Sequence, residues 1–284
     1  MGNIIVGIDF SENSINSLRH AVAIALKTSD TLHLVWVKTA GVTKGLAKES
    51  KDDFVQMANS KLLQLLDECK REAPQAKIQT VVLEGRPFVE LTKYAANQPD
   101  SLIVIGTHGV SGFEENFIGS NAFKTAAASA VPVLVLREGV KINRDLIQIV
   151  VPIDVSFETL QKVKDAAKFA KSFSAKILLA GFYEKGNPQH EHIVNIQLNH
   201  AETICSKFNV RHDLEIIPFT GNISDAIVKY GKEKDANMLV IMREGSDVGE
   251  FSDLWLGNTT QQLLTKSPMP ILIIPNANFI SIAK

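Results

Sequence analysis

Short runs of apolar residues alternate along this chain with segments in which apolar residues recur every three or four positions. In the first half the runs fall at 4–8, 31–37, 78–83, 102–105 and 133–136, and they predict β-strands. Between them Ile15, Leu18, Val22 and Leu26 recur at helical spacing, as do Val55, Leu62, Leu65 and Cys69, then Val89 and Lys93 with Ala96. The strand runs lack an alternating wet face, as expected of parallel strands covered by helices on both sides. Alternation of strand and helix predicts an open α/β sheet with right-handed crossovers.

The pattern then repeats. Ile4-Ile5-Val6-Gly7-Ile8-Asp9-Phe10-Ser11 matches Ile149-Val150-Val151-Pro152-Ile153-Asp154-Val155-Ser156 at an offset of 145 residues. Gly85 and the helix pattern through Tyr94, then Leu102 to Ile105, match Gly221, Ile227 to Tyr230 and Met238 to Ile241. Val131 to Leu136 match Met269 to Ile274. Three matches in one order predict two domains of the same fold, 1–141 and 142–284, joined by a short charged stretch around Arg137 to Arg144. A chain of 284 residues is long enough for two such cores.

Charge narrows the partners. Thirty basic against thirty-one acidic side chains give a net charge of −1, so no global field draws in nucleic acid or an anionic membrane. No apolar run approaches the roughly 20 residues that span a bilayer, and Met1-Gly2-Asn3-Ile4 runs straight into a strand without a signal-peptide pattern. Cys69 and Cys205 each sit in a helical pattern and suggest neither a disulfide framework nor a metal cluster. The expectation is a cytoplasmic protein without nucleic-acid or membrane partners.

Candidate chemistry lies at strand ends, where open α/β sheets bind ligands. Ile105 is followed by Gly106-Thr107-His108-Gly109, nine residues, then Gly119-Ser120 and a helix from about Asn121. Glycines let backbone N–H groups approach a phosphate closely, and the helix start behind Gly119 and Ser120 favours the same anion. Ser120 is a candidate cap or phosphate donor. Two roles are open to Asp9 after the first strand: accepting from a ribose hydroxyl or a base amino group, or holding the turn before Ser11, the expected cap of a helix beginning near Glu12. His108 is placed either to donate to phosphate or to hold the loop, and with no second base or acidic metal cluster beside it no catalytic residue is assigned. Gly85 and Pro87 read as a turn and a helix start.

These residues resemble the nucleotide-binding members of the universal stress protein family, in a tandem form covering the whole chain. The family spacing of Gly, two residues, Gly, nine residues, Gly and Ser or Thr is matched by Gly106, Gly109, Gly119 and Ser120. Asp9 matches a first-strand aspartate that contacts nucleotide there, and Val37 matches a position whose backbone contacts adenine. The resemblance implies a Rossmann-like parallel sheet of order 3-2-1-4-5 of the adenine nucleotide alpha hydrolase type. It also implies ATP as ligand, with Mg²⁺ expected to assist. Where family members often carry a basic residue after the second glycine, this chain has Val110, with Glu114-Glu115 following.

The second half keeps Asp154 and Ser156 but not the glycines: Met242 stands for Gly106, Glu244 for His108 and Asn258 for Ser120, with eleven residues between Gly245 and Gly257. It is expected to pair with the first domain through the last strands, as family members dimerise, and to lack ATP bound in the same manner. Assembly into a homodimer is compatible with this pattern. His190, His192, His200, Cys205 and His212 lack the tight spacing of a zinc site, and Ile193, Ile196 and Ile204 are read as their helix's apolar stripe. Three functions remain: an ATP-binding stress or regulatory protein, a slow Mg-dependent ATPase, and a scaffold or binder of another small or apolar ligand. The absence of a GxxxxGK loop weighs against the second.

Overall fold

Each half folds around a parallel sheet whose strands are the apolar runs of the sequence. The computed structural model describes residues 2–39, 48–107, 119–137, 146–243 and 256–276. These fall into two compact units, divided in the stretch between 137 and 146.

In the first unit the order is β1 (Asn3–Ile8), α1 (Glu12–Thr28), β2 (Thr31–Lys38), α2 (Lys48–Glu72), β3 (Ile78–Glu84), α3 (Pro87–Ala96), β4 (Ser101–Gly106), α4 (Ser120–Ala128) and β5 (Val133–Leu136). The strands lie in the order β3-β2-β1-β4-β5, the order implied by the family resemblance, with every neighbouring pair parallel. Local chemistry sets the helix starts. The Ser11 side chain caps α1 by accepting from Ser14 N at 3.2 Å, and Pro87 opens α3, its fixed φ suiting a first helical residue that needs no N–H partner. Gly85 turns the chain between β3 and α3 at φ +149°, where its missing Cβ leaves room for Glu90.

Three expectations about faces are corrected. β3 alternates between partly covered and exposed residues, because an edge strand is covered less completely than the buried β1, β2 and β4. Leu26 is exposed, and α1 instead buries Leu18, Ala21, Val22, Ile24 and Ala25. In α3 the buried face is Phe88, Leu91 and Ala95, whereas Lys93 and Ala96 face solvent.

The second unit runs β6 (Gln148–Ile153), a 3₁₀ turn (Phe157–Leu160), α5 (Gln161–Phe173), β7 (Lys176–Glu184), α6 (Pro188–Lys207), β8 (His212–Phe219), α7 (Ile223–Glu233), β9 (Met238–Met242), α8 (Asn258–Lys266) and β10 (Ile271–Ile274). Its own order is β8-β7-β6-β9-β10, again parallel throughout. α6 buries Val194, Gln197, Leu198, Ala201 and Cys205, so Ile193 and Ile196, expected as its apolar stripe, are exposed. His192 and His200 are exposed on the same helix, and His212 Nδ1 lies 2.8 Å from Val210 O. No helix among the described residues is long and apolar enough to cross a membrane.

A candidate ligand crevice at the strand switch point

In the order β3-β2-β1-β4-β5 the chain changes direction across the sheet between β1 and β4, and crossovers leave a crevice beyond their carboxyl ends. Asp9 leaves β1 there. Its Oδ1 accepts from Ser11 N (3.0 Å) and Ser11 Oγ (2.5 Å), while its own N–H donates to Ser14 Oγ at 3.4 Å. Phe10, between them, takes φ 65°. Asp9 is therefore part of the turn that starts α1, at an exposed position.

Gly106 ends β4 opposite Leu136. A Cβ there would lie 3.1 Å from both the Cβ and the O of Asn13, in the first turn of α1. The absent side chain lets α1 close on β4, a packing reason for the glycine that the loop spacing alone does not suggest. Thr107 N then donates to Leu136 O at 2.8 Å, and Gly119 N donates to Thr107 O at 2.6 Å, tying the two ends of the intervening segment together. His108 and Gly109 lie outside the described residues.

Gly119 is the N-cap of α4 and makes no side-chain cap bond. Ser120 is the first residue of that helix, so it is not its cap, and the helix starts one residue earlier than expected. Phe123 N closes the first turn on Gly119 O at 3.0 Å. The N–H groups of Ser120, Asn121 and Ala122 thus have no acceptor within the helix, and its positive end faces outward at a point where Ser120 is exposed. Val37 continues pairing with Leu83 of β3 after β1 has stopped at its Ile8–Trp36 pair, which leaves the end of β2 overhanging the crevice. Beside it Trp36 packs between Phe10 and Phe54, ring centroids 6.4 and 6.2 Å away.

The second unit repeats the turn and alters the rest. Asp154 Oδ1 accepts from Ser156 N (2.8 Å) and Ser156 Oγ (2.5 Å), and Asp154 N donates to Thr159 Oγ1 at 3.3 Å. Met242 pairs with Ile274 as Gly106 pairs with Leu136. Arg243 follows with 1% exposure, burial bringing its guanidinium down to about 10. Gly257 caps α8 at φ 75°, unlike Gly119 at φ −58°.

Residues 1–137 and 148–275 each match the sequence profile of the universal stress protein family. The chain belongs to the universal stress protein family. It is 24% identical over 279 residues to universal stress protein Rv2624c of Mycobacterium tuberculosis, covering 96% of each chain, so the relative shares the tandem length. Universal stress protein YxiE of Bacillus subtilis is 29% identical over 144 residues, which are 47% of this chain and 97% of that protein. The solved universal stress protein from Archaeoglobus fulgidus DSM 4304 has the same fold, with a TM-score of 0.76 over 97% of this chain and 96% of that one at 20% identity.

The repeated stress-protein fold thus brings together Asp9, Val37, Gly106, Gly119 and Ser120 at one end of the first sheet. Sequence reasoning missed Asn13, the neighbour that Gly106 accommodates, and Lys162, which is 4% exposed in the second unit. A signal for Lys162 was available: with Ala166 and Ala170 it keeps the i, i+4, i+8 spacing of the buried face of α5.

Proposed function

We propose that the first domain binds an adenine nucleotide, ATP with Mg²⁺ as its companion ion, and that the protein is a nucleotide-binding stress-response or regulatory protein of the cytoplasm. The observation that carries this is the meeting of Asp9, the end of β4 and the start of α4 at the strand switch point. Phosphates suit the N–H groups of Ser120 and Asn121, which lack acceptors within α4 and lie at the positive end of its dipole. The overhanging backbone of Val37 suits an adenine edge, and the outer oxygen of Asp9 a ribose hydroxyl. His108 and Gly109 belong to the same proposed loop.

Binding alone gives such a protein a function, since a ligand held only by the folded form stabilises that form. On this reading the second domain, with Met242 in place of the glycine, is the partner of the first rather than a second ATP site of the same kind. The proposed pairing through the last strands draws support from their uninterrupted apolar sequences, Val133 to Leu136 and Ile271 to Ile274.

Isothermal titration of Mg-ATP into the nucleotide-stripped full chain tests the proposal, with Gly119→Asp as the key variant. At φ −58° and ψ 143° the backbone conformation is one that residues other than glycine adopt, and aspartate is a favoured helix N-cap. The variant therefore keeps its fold while placing a carboxylate where phosphate is expected. One site per chain that disappears in Gly119→Asp supports the reading. No binding to stripped wild type sinks it, and undiminished binding by the variant moves the site elsewhere. Phosphate release above buffer background in the same samples would favour an ATPase.

A further inference from the structure

Helices α5 and α6 pack side by side on one face of the second sheet, because the chain steps from β6 to β7 to β8 in one direction through parallel strands. Helical geometry decides which residues flank the seam between them. Lys162 of α5 lines a cavity beside β9, together with Ile241 and Met242. Positions two and nine residues further along a helix emerge on its opposite flank. In α5 these are Lys164 and Lys171, with Lys168 next to them, and all three are exposed on the side toward α6. On α6, Glu202 reaches the start of β8, where its Oε1 lies 4.0 Å from His212 Nε2. His200 and Ile193, two and nine residues before Glu202, therefore take the flank toward α5. Ile196, about one turn from each, joins them.

We propose that this seam docks an acidic amphipathic helix of a partner protein, its aliphatic residues on Ile193 and Ile196 and its carboxylates on Lys164, Lys168 and Lys171. Isoleucines 38% and 43% exposed are ordinary one at a time. Two of them one turn apart beside a row of lysines form a surface with an apolar and a cationic side. Charge is sorted across both helices. Glu191 and Glu202, the two carboxylates of α6, are eleven residues apart and so share the flank that turns away from the seam. Asp165, the one carboxylate of α5, lies nearer the flank of Lys162, with its Oδ1 3.6 Å from Lys168 Nζ. Lys164 and Lys171 therefore set the sign of the charge that faces the seam. The lysines repeat at i, i+4 and i+7, and a helix with carboxylates at the same spacing and aliphatic residues on the adjoining stripe matches both sides at once. A bilayer matches less well, since two isoleucines beside a seam offer little area to bury in it.

Fluorescence anisotropy of a labelled synthetic helix with the full chain tests the proposal. The probe is a peptide of about 15 residues with leucines along one stripe and glutamates at i, i+4 and i+7 beside it. Saturable binding is expected, at least about tenfold weaker when glutamine replaces the glutamates. Lys164→Glu combined with Lys171→Glu should weaken the acidic peptide by a similar factor, and Ile193→Ser combined with Ile196→Ser should weaken it as well. All four positions are exposed, where substitution is well tolerated by the fold. Lys70→Glu with Lys93→Glu makes the same change of net charge at exposed positions of the first unit and should leave binding intact. No saturable binding, equal binding of the glutamate and glutamine peptides, or equal losses in the two lysine double variants would each overturn the proposal. So would a wild-type dimer in sedimentation that the isoleucine double variant dissolves, which would give the seam to a second copy of the chain. Co-sedimentation with phosphatidylglycerol vesicles in the absence of peptide binding would give it to a membrane and overturn the proposal too.

Discussion

His33 is a buried histidine whose protonation state can be read from its neighbours. It is 2% exposed in the middle of β2. The amide of Asn3 is oriented by its own bond to Pro99 O at 2.8 Å, so Asn3 Oδ1 accepts from His33 Nε2 at 3.0 Å. Nδ1 then accepts from Tyr94 O–H at 2.8 Å, with the Gln79 amide nitrogen 3.0 Å away beside the ring. The ring is neutral, and burial holds its pKa below the usual 6.5. Below pH 6.5 the unfolded chain takes up a proton that the folded one does not, so stability falls as pH drops from 6.5 through the folded value. His33→Gln keeps hydrogen-bonding capacity without the titration. Urea midpoints at pH 7.5 and 5.5 should therefore fall further on acidification in wild type than in the variant. Equal losses would show that His33 does not contribute.

At the scale of elements, the contact between α1 and β4 explains more about Gly106 than the loop pattern does. An added Cβ would press on the Asn13 backbone, which cannot rotate away as a side-chain tip can. Gly106→Ala is expected to cost about 1–2 kcal/mol in the absence of any ligand, measured by chemical denaturation. An unchanged midpoint would leave close approach to a ligand as the reason for the glycine. The elements themselves were legible, because strand runs, the Ser11 cap and the Pro87 start are set by neighbours in sequence. Helix faces were legible in part: Leu18, Val22, Leu62 and Cys69 are buried as their spacing suggests, but other faces differ. In α6 the isoleucines at 193 and 196 look like the apolar stripe, yet Val194, Leu198 and Ala201 form the packed one. Gly181 of β7 shows how close that face lies, with Leu198 and Val194 carbons 2.6 Å from where a Cβ would stand. A period of 3.6 admits two adjacent stripes, and the sheet decides between them.

For the molecule as a whole, the internal repeat made the two like domains legible, and the family resemblance supplied the strand order that sets the position of the first crevice. The cavity of the second unit lined by Ile153, Phe182, Ile227 and Leu263 was not legible, because it depends on the space left among side chains far apart in sequence. On the proposed reading the two units should respond separately. Mg-ATP at 100 times its Kd would stabilise the form that binds it by about 2.7 kcal/mol. Hydrogen exchange should then slow in β1, β4 and α4 and remain unchanged in β6, β9 and α8. Equal slowing in both units would contradict a site confined to the first. The Asp–Ser turn, made with the same atoms at Asp9 and Asp154, has one more implication. After a duplication, one copy is free to drift wherever the other keeps an inherited task. A feature kept in both copies while the glycine spacing differs is one that folding itself supports, so the chain carries an internal control for which of its shared residues are architectural.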